Sequence, residues 1–134
     1  MYLVRLNKEQ KNLFLELAHC LASIDGNFSD TERVMIMAYC NEMQIEFNPG
    51  IKVRAINEII DLLAKECGEL ERKIIIFEAI GLAMIDSNYD ELERKLITSI
   101  IDAFEFEYDF GKECEALLSD YIELQNRING LVLG

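Results

Sequence analysis

The sequence predicts an all-α protein, a compact bundle of six or seven helices. Apolar residues recur at helical spacing along most of the 134-residue chain. Only one proline and seven glycines are present, which disfavours an all-β or disordered chain. The stretch from Ile24 to Glu32 lies between two helical segments and recurs from Ile85 to Glu93. This repetition predicts two three-helix repeats related by a pseudo-two-fold axis.

Length and charge narrow the class of protein. A chain of 134 residues suits one domain, residues 1–134, and can bury a core without disulfides. The formal net charge of −12 disfavours nucleic acid and anionic membranes as partners, because both attract basic residues. Cations and basic protein surfaces fit this charge. A solvated acidic surface without a specific ligand explains it equally well.

Cysteine usage and hydropathy predict a cytoplasmic protein without a transmembrane segment. The four cysteines (Cys20, Cys40, Cys67 and Cys114) are far apart and form no Cys-x-x-Cys motif. We therefore expect them to be reduced, apolar-packed side chains. No apolar run approaches the roughly 20 residues that cross a bilayer, and the N-terminal run is too short for a signal peptide.

The first repeat, about residues 8–68, is predicted to contain three helices. Residue pairs typical of helix starts precede each of them: Asn7 with Gln10, Ser29 with Glu32, and Asn48 with Pro49. Gly68 is expected to end the third helix. The buried faces are expected to include these residues: Leu13, Leu17, Leu21 and Ile24; Val34, Met35, Ala38 and Met43; Val53, Ile56, Ile60 and Leu63.

The second repeat, about residues 69–129, is predicted to contain three more helices. The fourth helix should run from about Glu69 to Ile85, and Asp90 and Asp109 are expected to cap the fifth and sixth. The tail from Asn129 to Gly134 is expected to be frayed or loosely packed. The sixth helix is expected to bury these residues: Cys114, Leu117, Leu118, Tyr121 and Leu124.

The two copies of the repeated stretch contain the candidate site. Setting Asp25 against Asp86 aligns Glu32 with Glu93, and all four carboxylates are candidate ligands for a divalent cation such as Ca²⁺, Mg²⁺, Mn²⁺ or Zn²⁺. Glu32 and Glu93 also stand where capping-box partners belong, so helix capping alone explains them. It does not explain why Asp25 and Asp86 recur.

The sequence contains no complete copy of the catalytic and metal-binding motifs that we compared with it. The repeated loop is too short for an EF-hand and lacks its glycine at the sixth position. Glu16 and His19 form one Glu-x-x-His, but a di-iron bundle needs two and His19 is the only histidine. No nucleophile motif or phosphate-binding glycine loop is present. The sequence therefore predicts a protein that is not an enzyme.

The stretch from Leu21 to Glu32 resembles the TerB-like family of tellurite-resistance proteins, which includes the N-terminal domain of membrane-anchored DnaJ-type co-chaperones. The shared pattern is Leu-Ala, two residues, Asp-Gly, two residues, Ser, two residues and Glu, and Leu82 to Glu93 resembles its second copy. The second copy departs from it, with Ser87 for the glycine and Asp90 for the serine. The resemblance covers about residues 8–127.

The resemblance implies an all-helical bundle that binds divalent metal through Asp25, Glu32, Asp86 and Glu93. It also implies a role in tellurite resistance and stress response, as a protein-interaction module at the inner face of the membrane. The resulting hypothesis is a non-enzymatic acidic binding module, with a homodimer as one option. Two alternatives are a metal-dependent hydrolase that uses the same carboxylates, and a ligand-free scaffold. The scaffold predicts an exposed apolar patch.

Overall fold

Six α-helices make up most of the part of the chain that the structure describes. The structure is a computed structural model that describes residues 1–24, 26, 28–85 and 89–134. After a short 3-10 helix (Leu3–Arg5) it contains these helices: α1 (Lys8–Ser23), α2 (Asp30–Met43), α3 (Ile56–Glu66), α4 (Glu69–Met84), α5 (Glu91–Ala103) and α6 (Tyr108–Leu133). No strand occurs in the described ranges. The predicted all-α bundle is confirmed.

The internal repeat is visible in the helix boundaries themselves. α1 and α4 begin and end 61 residues apart, the same separation as Asp25 and Asp86 in the sequence. α2 and α5 also begin 61 residues apart. Each of these two helices is followed by a residue in the left-handed region, Gln44 with φ 58° and Glu105 with φ 63°. The first two helices of each half therefore repeat their backbone as well as their sequence pattern.

The core lies between α1 and α4, the most extensively buried helices of the two halves. α1 packs on α2, α3 and α4, and α4 packs on α1, α5 and α6. Their apolar positions are numerous enough to face several neighbours at once, as expected for central helices. The largest fully buried side chains are Phe14, Phe104, Leu3, Leu13, Leu17, Leu21, Ile36, Ile59, Leu63, Ile75, Ile76 and Ile80.

The N-terminal ammonium group forms ion pairs with carboxylates of α2 and α4. The Met1 ammonium group lies 3.0 Å from the buried Glu78 carboxylate and 3.1 Å from that of Glu42. Burial raises the pKa of the Glu78 carboxyl, and the ammonium group opposes that shift. Tyr39 donates a hydrogen bond of 3.1 Å to the Glu78 carbonyl oxygen. These contacts connect α2, α4 and the N-terminal segment.

The predicted start of the third helix is wrong. The Asn48 side chain accepts a hydrogen bond from the Gly50 N–H within a turn, and α3 begins only at Ile56. Residues 47–55 are thus a loop, and Val53 is 38% exposed rather than buried. α3 ends at Glu66, two residues before Gly68, as predicted. Gly68 also stands immediately before α4, where its N–H donates to Glu71 Oε1.

Two other apolar faces differ from the prediction. In α2, Val34 is exposed and the buried residues are Ile36, Tyr39, Cys40 and Met43. In α6, which begins after Glu107 rather than Asp109, only Gly111, Cys114 and Leu118 are buried. The chain end is helical to Leu133 rather than frayed, but residues 129–134 are all exposed, which agrees with the alternative of loose packing. Among the described residues, no helix is both long and apolar enough to span a bilayer.

Candidate functional site

The glutamates of the predicted cation site are both helix-capping residues. Glu32 Oε1 accepts hydrogen bonds from the Ser29 N–H at 3.1 Å and from its hydroxyl at 2.9 Å. Glu93 Oε1 accepts from the Asp90 N–H at 3.3 Å. The two carboxylates are 6% and 4% exposed. The capping boxes that the sequence predicts at the starts of α2 and α5 are therefore present, each with a buried carboxylate.

An arginine lies over an aromatic ring at each of these junctions. The Arg33 guanidinium carbon is 5.5 Å from the centre of the Phe28 ring. The matching Arg94 carbon is 4.0 Å from the centre of the Tyr89 ring. Cation–π contacts of this kind contribute about 0.5–1 kcal/mol at exposed sites. They hold the chain against the first turn of α2 and of α5.

The aspartates of the predicted cation site, Asp25 and Asp86, lie outside the described residues. The structure therefore does not measure how near they come to Glu32 and Glu93. Within the ranges that it does describe, no group of three or more histidine, cysteine, aspartate or glutamate side chains could hold a metal ion. A cation site at the repeated stretches, with all four carboxylates as ligands, stays a prediction.

Calorimetric titration tests this cation site. If it exists, Ca²⁺, Mg²⁺, Mn²⁺ or Zn²⁺ should bind the wild-type protein, and the double variant Asp25→Ala/Asp86→Ala should lose that binding because hard cations depend on carboxylate oxygens. The variant Asp61→Ala/Asp120→Ala removes two exposed carboxylates elsewhere and serves as the control. Absence of binding to the wild type, or equal binding by both double variants, would contradict the prediction.

Another buried carboxylate, Glu16, anchors the loop before α3. Its Oε1 accepts hydrogen bonds from the Arg54 N–H at 2.9 Å and from Nε at 3.1 Å, and its Oε2 accepts from Nη2 at 2.6 Å. Hydrogen bonds from Arg54 lower the pKa of the Glu16 carboxyl below its ordinary value of 4.5, although burial opposes the shift. The pair joins residues 47–55 to α1.

The pair gives folding stability a specific pH dependence. Because the folded pKa of Glu16 lies below its unfolded value, its contribution is complete above the unfolded pKa and is lost as pH falls through the folded pKa. Urea unfolding should therefore show Glu16→Gln less stable than the wild type at about pH 7, with the difference shrinking near about pH 3. Glu46→Gln, an exposed carboxylate that does not contact the pair, is the control. A difference that does not change with pH would contradict this account.

α6 presents an exposed apolar stripe that the sequence analysis assigned in part to the core. Leu117, Tyr121 and Leu124 are 58%, 48% and 53% exposed, and Ile128 and Leu131 are 45% and 85% exposed. The five residues follow one another in alternating steps of four and three residues. This spacing places them on one side of the helix. We refer to these five residues as the α6 seam.

The first part of α6 is buried against the domain, and beyond Leu118 its side chains are only half-buried or exposed. α6 is 26 residues long, about 39 Å, but its last buried residue is Leu118. An apolar groove of about 360 Å³ continues from the beginning of the seam onto α4, between Leu117, Phe77 and Leu70. The apolar surface is therefore continuous beyond α6 itself. Surfaces of this kind mark interaction sites.

A signal for the seam was present in the sequence. The spacing that suggested a buried face for α6 is the strict 3.5-residue repeat of a helix that pairs with another helix, rather than the broader stripe of a helix lying on a globular core. Leu118, which breaks the repeat, faces the core together with Gly111 and Cys114. A regular repeat does not itself reveal whether its partner belongs to the same chain.

Comparison with known proteins finds no family model, no curated protein and no solved structure that matches this chain. The resemblance to the TerB-like family therefore stays a prediction. The function is inferred from the geometry of the chain alone.

Proposed function

We propose that this protein is a non-enzymatic protein-interaction module that docks through the α6 seam, and that its partner is a second copy of the same chain. The observation that carries the proposal is the exposure of five apolar side chains in strict helical register at the end of α6. Of the functions that the sequence suggests, the scaffold is the one that requires an exposed apolar patch.

The spacing of the seam favours a helix as its occupant. Side chains in alternating steps of four and three residues pack between those of another helix with the same spacing. α6 is itself such a helix, so two copies related by a two-fold axis would cover both seams with one interface. The net charge of −12 disfavours an anionic membrane as the occupant.

The exposed half of α6 also gains from such pairing. A helical segment as short as the part of α6 beyond Leu118 is only marginally stable in water by itself, because most helix stability in proteins comes from a packed apolar face. The part of α6 beyond Leu118 has none of its side chains buried. Packing the seam of a second chain against it would supply the missing burial.

The remaining parts of the hypothesis rest on the sequence. A cytoplasmic location is supported by four free thiols, which are typical of a reducing compartment. A link to tellurite resistance and stress response, and docking to proteins at the inner membrane face, rest on the TerB-like resemblance. A divalent cation at Asp25, Glu32, Asp86 and Glu93 would add a ligand to the interaction module without changing the role of the seam.

Light scattering coupled to size exclusion tests the proposal. We expect a molar mass near twice the 15.4 kDa of one chain at high protein concentration, decreasing towards 15.4 kDa on dilution. A mass of one chain throughout, up to millimolar protein, would contradict docking of a second copy. Binding to uncharged lipid vesicles by a protein that stays monomeric would identify a bilayer as the occupant instead.

A further inference from the structure

A cleft of about 580 Å³ opens on the first half of the molecule, apart from the seam. One wall is the end of α1, with His19, Cys20 and Ser23, and the opposite wall is the loop of residues 47–55. Its volume is within the range of about 300–1,000 Å³ in which proteins bind small molecules. The Glu16–Arg54 contacts fix the loop, so the opening is formed by anchored elements.

At the equivalent place in the second half, the cleft is almost completely filled. Five residues lining the cleft have counterparts 61 residues later that line a cavity of only about 40 Å³: Phe28, Arg33, Phe47, Ile51 and Arg54. The difference has a local cause. In the second half the matching segment is the first part of α6, where Gly111 allows close packing against Ile101. In the first half Pro49 and the Asn48 turn replace that helix with a loop.

One residue that lines the cleft has the opposite charge to its counterpart in the second half. In the second half, Arg94 forms an ion pair with Glu115 at 3.2 Å. The first half has Arg54 where the second has Glu115, and Arg54 is bound to Glu16. Arg33 forms no ion pair with any residue in the described ranges. The described lining of the cleft holds two arginines and no carboxylate, in a chain of net charge −12.

Aromatic rings lie beside the guanidinium group of Arg33. The half-buried Phe28 ring is 5.7 Å from the His19 ring and 5.5 Å from the Arg33 guanidinium carbon. Phe47 lines the loop side of the cleft. Burial lowers the pKa of His19, so its imidazole is neutral at pH 7 and can both donate and accept a hydrogen bond. A cation that has no ion pair among the described residues and lies next to aromatic rings suits a ligand that has an anionic group and a ring.

We propose that this cleft binds a small aromatic anion, with its carboxylate or phosphate on Arg33 and its ring between Phe28 and Phe47. The ligand class follows from the two features that distinguish the cleft from its closed counterpart. One is the space left by the loop, and the other is an arginine without the glutamate that neutralises Arg94. The described lining of the cleft shares no residue with the α6 seam.

Nuclear magnetic resonance titration of the full chain tests this binding. The probes are phenyl phosphate and phenylacetate, with benzylamine as a ring of opposite charge. We expect both anions to shift the amide signals of Ser23, Arg33 and Ile51, and benzylamine to leave them unchanged. The tighter of the two anions identifies phosphate or carboxylate as the preferred group. Absence of these shifts with both anions, or equal shifts with benzylamine, would overturn the proposal.

Matched arginine variants locate the binding. Arg33→Ala should weaken anion affinity by about tenfold or more, because it removes charge-assisted hydrogen bonds. Arg94→Ala removes the equivalent arginine over an aromatic ring and should leave the affinity unchanged. Ser23→Met introduces the residue found at the matching position in α4, and should block the cleft while keeping Arg33. Equal affinities for the wild type and for Arg33→Ala, measured on variants with native circular dichroism, would overturn the assignment.

Discussion

Replacing Leu124 by glutamate is expected to weaken self-association by about a hundredfold or more. Leu124 is at the centre of the α6 seam, and in a two-fold dimer the substitution places a carboxylate in both chains. Taking each carboxylate out of water costs several kcal/mol, and every 1.4 kcal/mol is about a tenfold change in the dissociation constant. Sedimentation velocity over a concentration series measures the effect.

The control for this variant is Leu92→Glu. Leu92 lies on α5 outside the seam and is 48% exposed, close to the 53% of Leu124. Its substitution should leave self-association unchanged. Neither variant should reduce helix content, since both side chains are largely in water within a single chain. Equal dissociation constants for the two variants would show that association, if present, does not use the seam.

Replacing Phe14 by alanine is expected to lower the free energy of unfolding by about 3–5 kcal/mol. Phe14 on α1 is 0% exposed, and its ring meets that of Tyr39 on α2 edge to face at 5.3 Å. The substitution removes both the buried area and the aromatic contact, and it leaves a cavity that the surrounding helices cannot fill completely. Urea unfolding of the two proteins at equal concentration measures the difference.

Val34→Ala is the control for this core variant. Val34 is on α2 and is 64% exposed, so its truncation should change the free energy of unfolding by less than about 0.5 kcal/mol. A loss of under about 1 kcal/mol for Phe14→Ala would show that α1 is not the centre of the core.

Local signals in the sequence were sufficient to predict most of the helices. Asn7 and Ser29 begin α1 and α2 as capping boxes, because their side chains accept from backbone N–H groups only three residues away. The same applies to Asp90 at α5. The repeat predicted two three-helix units, and the first helices of the two units, α1 and α4, have the same length. Interactions between near neighbours in the chain determine these features.

The predictions that were wrong concern features that are determined by contacts between residues far apart in the sequence. Pro49 is compatible with a helix start, but the N–H of Arg54 bonds the carboxylate of Glu16, 38 residues away, and α3 begins after it. Leu117 and Leu118 have the same hydropathy, and only the docking of α6 on α4 and α5 decides which is buried. Neither the helix-start signals nor the apolar spacing predicted the cleft, because it exists only where a loop replaces a helix in one of the two repeats. Asp25 and Asp86 lie outside the described residues, so the predicted cation site stays a prediction.

The central claim is that the α6 seam is the contact between two copies of this chain. An isotope-filtered nuclear Overhauser experiment on a mixture of ¹³C-labelled and unlabelled protein tests it most directly, because it detects only contacts between chains. The account predicts intermolecular signals from the methyl groups of Leu117, Leu124 and Ile128. Intermolecular signals that arise only from other surfaces, or none at a concentration where light scattering gives the mass of two chains, would contradict it.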